Sequence, residues 1–393
     1  MGQNWYIVNV DRRETGLGGG AKLGEFFFDD MRDLYDSLRY PYLPKDVDKW
    51  LSRGSFALQP GPLGKLSREL LDTIFEALLE VTEDDESPPL FHLVLLSVTC
   101  KMLLSVGKSH ILRQLISIHA RAANCRLVCI GEYADGEEQA PPGMLTAAES
   151  EEIATTPQEW EEDDGEDGPD AATRESRTFA VFAINGYDQV TELLGEFNQF
   201  HTHLSCEIST AHWELKAAPD PQRTLELKMI WKLVGLDTYR PIYPGGPNIL
   251  CNLSKSEFVR EDTLVKLMRG WHRVTLAHAL LSRICWSTEP GISMMCGEKY
   301  RDSLVQGPWA GDRFRIVSAD SMPAPKVGTD WKDVTKDVNR LLRHLWRHEM
   351  EDDTVHSDDD EENKEGNEES GEDGEESRQE GEESGEEGGE GDC

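Results

Sequence analysis

Leu66-Ser67-Arg68-Glu69-Leu70-Leu71-Asp72-Thr73-Ile74-Phe75-Glu76-Ala77-Leu78 and, some fifteen residues on, Leu93-Val94-Leu95-Leu96-Ser97-Val98-Thr99-Cys100-Lys101 are the strings on which the reading of this chain turns. In the first, Leu66, Leu70, Leu71, Ile74, Phe75, Leu78 and Leu79 recur at helical spacing and form one apolar stripe. Glu83 to Pro89 cannot extend that helix, because proline lacks the amide donor and restricts the residue before it. The spacing predicts a second apolar helix over 90–106 and a third over 108–122. Most such stripes are core, so periodicity alone makes these helices an internal hairpin of a larger domain.

Outward from this segment, Trp5 to Val10 and Arg126 to Gly131 carry the β-branched and aromatic content of strands. Between them, Asp11 to Lys22 reads as a flexible loop, and Phe26 to Leu38 as helical until Pro41 and Pro44. Residues 146–176 contain a low-complexity acidic run with too little apolar surface to order itself, and a disordered loop is expected there. Beyond it, 179–184 and 225–233 read as strands or short helices, 188–200 as an amphipathic helix and 248–253 as a strand. A helix over 261–268, a strand-rich segment over 275–286, a strand over 313–318 and an amphipathic helix over 333–348 follow. No repeat of 20 to 50 residues is present, which argues against a propeller or solenoid.

Together these elements predict an α+β fold, with a helical segment inserted in or preceding a mixed α/β body and a disordered acidic C-terminal tail. The expected divisions are a strand and helix over 1–60, the helical segment over 61–122 and a body strand with its connection over 123–145. The acidic loop covers 146–176, the body proper 177–350 and the tail 351–393. The Trp5 strand is expected to pair with strands from after residue 178.

Net charge is −35, of which the tail, with 22 acidic and 2 basic side chains, carries −20 and the remaining 350 residues −15. With no basic stripe to neutralise phosphates, nucleic acid is not an expected partner. The eight cysteines sit mostly in apolar segments without the spacing of a disulfide framework and read as reduced thiols. The first residues lack the charged and apolar regions of a secretory signal, and the apolar stretch 90–106 is broken by His92 and Lys101. A cytoplasmic or nuclear location, away from the membrane, is therefore expected.

The two helical strings resemble the F-box pattern of Leu-Pro-x-Glu-Leu-Leu-x-x-Ile-Phe-x-x-Leu followed by Leu-x-x-Leu-x-x-Val-Cys-Lys. Ser67 departs from it where proline is usual, and the loop between the strings is long and acidic. Further strings are similar to ones that recur in a large group of uncharacterised fungal F-box-domain proteins. They are Gly2 to Asp11, Lys22 to Phe26, Cys125 to Tyr133, Asn252 to Arg260, Arg283 to Ser287 and Gly307 to Phe314. This resemblance covers nearly residues 1 to 350. It implies a non-enzymatic adaptor whose residues Leu66, Leu70, Leu71, Ile74, Leu78, Leu95, Val98 and Lys101 contact the Skp adaptor of a cullin ubiquitin ligase. Glu69 and Lys101 would sit at the rim, and the body would recruit a protein substrate that the resemblance does not identify.

Other constellations are weaker. Gly16 to Leu23 comes near a phosphate-binding loop, but Ala21 and Leu23 stand where glycine and a hydroxyl are needed, so a flexible connection is expected and no cofactor. His201, His203, Cys206 and His212 lack the paired short spacings of zinc sites, and His344 with His348 lacks the glutamate of a zinc protease, so packing or surface histidines are expected. No nucleophile elbow occurs. The segments around Trp286 and Trp309 suit either a binding cleft or, preferably, the core. In the tail, Ser357, Ser370 and Ser384 each precede acidic residues as acidophilic-kinase sites do. The competing reading is a non-enzymatic scaffold, its helices only structural and its acidic tail bound to basic partners.

Overall fold

The computed structural model describes residues 3–17, 19–53, 61–80, 88–132, 140–156, 178–190, 195–233, 240–268, 274–287 and 296–350. Most of the acidic loop and the whole tail, with Ser357, Ser370 and Ser384, lie outside the described residues. Within them the chain is a mixed α+β structure with two sheets.

The first sheet forms around β1 (Trp5–Asn9). Its direct neighbours are β2 (Glu14–Thr15) and β3 (Leu127–Gly131), both antiparallel, with Ile7 opposite Cys129. Both partners thus come from before residue 178, contrary to expectation. The later segments β4 (Asp188–Gln189) and β7 (Cys285–Trp286) extend the sheet only at its edges, in the order β4-β2-β1-β3-β7. The second sheet has the order β8-β5-β6-β9, from β5 (Asn248–Asn252), β6 (Glu257–Arg260), β8 (Phe314–Ser318) and β9 (Lys332–Asp333). β3 and β5 are buried at every position; β3 accordingly reads as an unbroken apolar run, while β5 is apolar between two buried asparagines, Asn248 and Asn252.

One core joins both sheets. Trp5, Ile7, Cys129, Leu250, Val259 and Phe314 pack with α1 (Leu23–Phe28), α2 (Arg32–Ser37), α11 (Glu261–Leu267), α12 (Leu276–Ile284) and α14 (Thr335–Met350). The strand-rich reading of 275–286 fails here: α12 is buried on nearly every side and has no polar face to betray a helical period. Its start is set by Thr275, whose hydroxyl accepts from the Ala277 amide. Similarly, the acidic segment expected to be irregular opens with α7 (Ala147–Thr155), started by a reciprocal cap between Thr146 and Glu149.

A second core is entirely helical and has two sources. Between β2 and β3 the chain contributes α3 (Lys45–Ser52), α4 (Arg68–Ala77), α5 (Pro89–Val98) and α6 (Lys101–His119). After α8 (Phe179–Gly186) and β4 it returns with α9 (Gly195–Ala217) and α10 (Pro221–Leu233), where 188–200 and 225–233 suggested something shorter. Phe197, Phe200 and Leu204 of α9 share this core with Phe75, Leu93 and Ile111. Residues 195–233 therefore belong with the helices, not with the sheet body to which the sequence assigned them. Where α4, α5 and α6 meet, a Cβ on Gly107 would fall 2.8 Å from Phe75 Cζ, so only glycine permits this approach.

Two buried imidazoles carry a pH dependence. His119 ends α6 with its ring edge-on to Phe197 at 4.4 Å, and burial, with Arg240 adding repulsion, pushes its pKa down from 6.5 to about 3. Burial likewise lowers His278 to about 4, outweighing the Asp29 carbonyl and the Asp29 and Asp30 charges. Because both are depressed, the unfolded chain takes up these protons first. Their stabilising effect is complete above about 6.5 and drains away as pH falls toward 3 to 4. The urea midpoint should fall between about pH 7.5 and about pH 4.5, and less steeply in His119→Leu; identical slopes would show that His119 contributes nothing.

Candidate docking surface

The helices α4 to α6 divide the expected docking residues into two sets. Ser67 caps α4: its hydroxyl accepts from the Leu70 amide at 3.5 Å. On the helix so started, Leu71 and Phe75 point inward and are buried, whereas Leu70 is 53% exposed. Leu66 and Ile74, one turn to either side of Leu70, are half-buried. Leu63, in the short turn before α4, is 40% exposed. On α5, Leu90, Leu93 and Val94 fill the core while Leu95 looks outward, 38% exposed.

Three of the expected contacts require correction. Leu71 is a core residue and presents nothing to a partner. Lys101 is not at a rim, since its ammonium lies 2.5 Å from the Arg53 carbonyl and 3.3 Å from that of Trp50, above the Trp50 ring. It satisfies carbonyls at the end of α3, as cations near helix C-termini do. Val98 lines a cleft of about 180 Å³ with Trp50, Lys101 and the α10 residues Met229 and Ile230. Leu78 is half-buried against the helical core. The exposed apolar side chains are thus Leu63 and Leu70 at α4 and Leu95 on α5, with Leu66 and Ile74, like Leu78, half-buried against the helical core.

Asp11, Arg126 and Arg313 meet at the seam between the sheets. Asp11 accepts from the Arg126 amide at 2.7 Å and from its Nε at 2.9 Å, and from both terminal nitrogens of Arg313. The other edge of the Arg126 guanidinium grips Glu149 at 2.7 and 2.9 Å. Burial alone would raise the Asp11 carboxyl, but the Arg126 hydrogen bonds and the two arginine charges outweigh it and hold it low. The Arg126 hydrogen bonds, aided by Thr146, take Glu149 down to about 2 against its partial desolvation. Nearby, Asn252 donates to Asp312 at 2.8 Å, and buried Trp309 donates to Glu257 beneath Arg283. These residues hold strand to strand, and Trp309 is core.

The remaining constellations are dispersed. Of the glycine-rich segment, Leu17 donates its amide to the Ile7 carbonyl of β1, Trp5 and Ala21 exchange backbone hydrogen bonds, and a Cβ on Gly20 would strike the Tyr6 ring. On α9, His201 is buried near Phe197, while His203, Cys206 and His212 are exposed. Among the described residues no three His, Cys, Asp or Glu side chains are grouped to hold a metal. His344 accepts from the Gly297 amide and stacks on Tyr300. Among the described residues no helix is long and apolar enough to cross a membrane.

A feature the sequence reading missed lies between α9 and α10, a groove of about 550 Å³ walled by His212, Trp213, Lys216, Leu227, Lys228 and Trp231. The i, i+4 spacing of 212/216 and 227/231 was there to be read. It was hidden by treating 225–233 as too short for a full helix. No family model, curated protein or solved structure matches the chain.

Two measurements test this division. Leu71→Ala should cost about 2 to 5 kcal/mol in urea unfolding and Leu70→Ala roughly 0.5 or less; equal losses would contradict the assigned faces. Arg126→Ala should cost about 1 to 2 kcal/mol, because Glu149 loses its arginine while Asp11 keeps Arg313 and the residue-126 amide. Wild-type stability in that variant would show that the seam does not rest on the arginine.

Proposed function

We propose that this chain is a non-enzymatic adaptor whose α4–α5 face docks on the Skp adaptor of a cullin ubiquitin ligase while the rest of the molecule recruits a protein substrate. The supporting observation is the exposure of Leu70 and Leu95, with Leu63 beside α4, on helices whose other apolar residues are committed to a core. An amphipathic helix that keeps part of its apolar surface outside is the arrangement used in helix-to-groove recognition. The resemblance of the two strings to an F-box names the partner. Relative to the sequence expectation, the contact set loses Leu71, Val98 and Lys101 and gains Leu63; Leu66, Leu70, Ile74 and Leu95 remain, with Leu78 at the margin.

The decisive comparison is co-precipitation of Skp and cullin subunits with wild type and with Leu70→Asp/Leu95→Asp. Both positions are exposed, so the variant should keep the wild-type unfolding midpoint while capture falls at least about tenfold. Undiminished capture, or none by the wild-type chain, would remove the adaptor reading.

A further inference from the structure

The groove between α9 and α10 is chemically unlike the rest of the protein. The chain is acidic, −15 even without its tail, yet the lining carries Lys216, Lys228 and Lys232 and no carboxylate. Lys232 is paired with Asp46 at 3.2 Å, whereas Lys216 and Lys228 are exposed and make no ion pair among the described residues. Between these cations stand two indoles: Trp213, 75% exposed, and Trp231, half-buried. An aromatic left that open near the end of α9 contributes little to the fold, since its area remains in water.

The shape narrows the occupant. α9 and α10 are joined by a short turn, and their facing stripes leave about 550 Å³ between them, a trough floored by Leu227 and walled by indoles. Such a trough takes the apolar edge of an added helix, with anchors at i, i+3, i+4 and i+7. The lysines favour carboxylates flanking those anchors.

We infer that the α9–α10 groove is a binding site for an acidic amphipathic peptide segment of a partner protein, anchored between Trp213 and Trp231 and held by Lys216 and Lys228. The site is separate from the α4–α5 face and stands whether or not the adaptor reading holds.

The test is fluorescence anisotropy of the full chain with labelled peptides of about sixteen residues, roughly four helical turns. One probe carries leucine and tryptophan at i, i+3, i+4 and i+7 with glutamate flanks; a second replaces the glutamates by lysines, and a third replaces the anchors by serine. The acidic probe should bind at least about tenfold more tightly than the other two and weaken with added salt. Lys216→Glu/Lys228→Glu should reverse the preference between the acidic and basic probes, and Trp213→Ala should weaken acidic-probe binding about tenfold or more. These positions are exposed, so matching unfolding midpoints will show that the variants fold. Leu70→Asp/Leu95→Asp should bind the acidic probe as wild type does, which separates this site from the adaptor face. The inference is overturned if the acidic probe fails to bind, if acidic and basic probes bind alike, or if the lysine reversals change nothing. It is equally overturned if anionic phosphatidylserine vesicles, or self-association lost in Trp213→Ala, occupy the groove in place of the peptide.

Discussion

Arg126 holds the sheet body together. Its backbone amide and one guanidinium edge are spent on Asp11, the other edge on Glu149, and Arg313 reaches Asp11 from the second sheet. An arginine is required here because only a planar fork engages two carboxylates along separate edges. Beside this cluster, Leu127 donates its amide to Asp312 and accepts from Gly311, carrying the first sheet into the second.

From this frame the helical module departs twice. Its first four helices leave between β2 and β3, and its last two leave after β4, so its core is made of two segments separated in sequence by residues 120–194. That construction decides what α4 and α5 can offer. α9 and α10 cover the parts nearest Val98 and Lys101, and the α4 face bearing Leu70 is left outside. The two surfaces that result are chemically distinct: one aliphatic, the other aromatic and cationic.

The elements legible in the sequence were those with a polar face or a pure strand composition. The α4 stripe, β1, β3, β5 and the final helix α14 stand close to where spacing placed them. Legibility failed where burial erased the contrast, as at α12, or where a single cap decided the outcome, as Thr146 does for α7. A stripe also cannot say which of its members face inward: Leu70 and Leu71 are adjacent and chemically identical, and a rotation of about 100° separates solvent from core. For Lys101 the sequence could not show that carbonyls from residues 50 and 53 would lie above it, because that pairing is purely tertiary.

The divided origin of the helical core also bears on how the chain is made. On the ribosome, Phe75, Leu93 and Ile111 emerge well before Phe197, Phe200 and Leu204, which complete their packing. For the synthesis of some eighty intervening residues, a greasy half-module waits without its closing partner, the kind of nascent surface that draws chaperones. β3 similarly awaits its neighbour β7 until nearly three quarters of the polypeptide has been translated. The architecture thus ties the quality of the finished protein to the pace at which its middle is delivered.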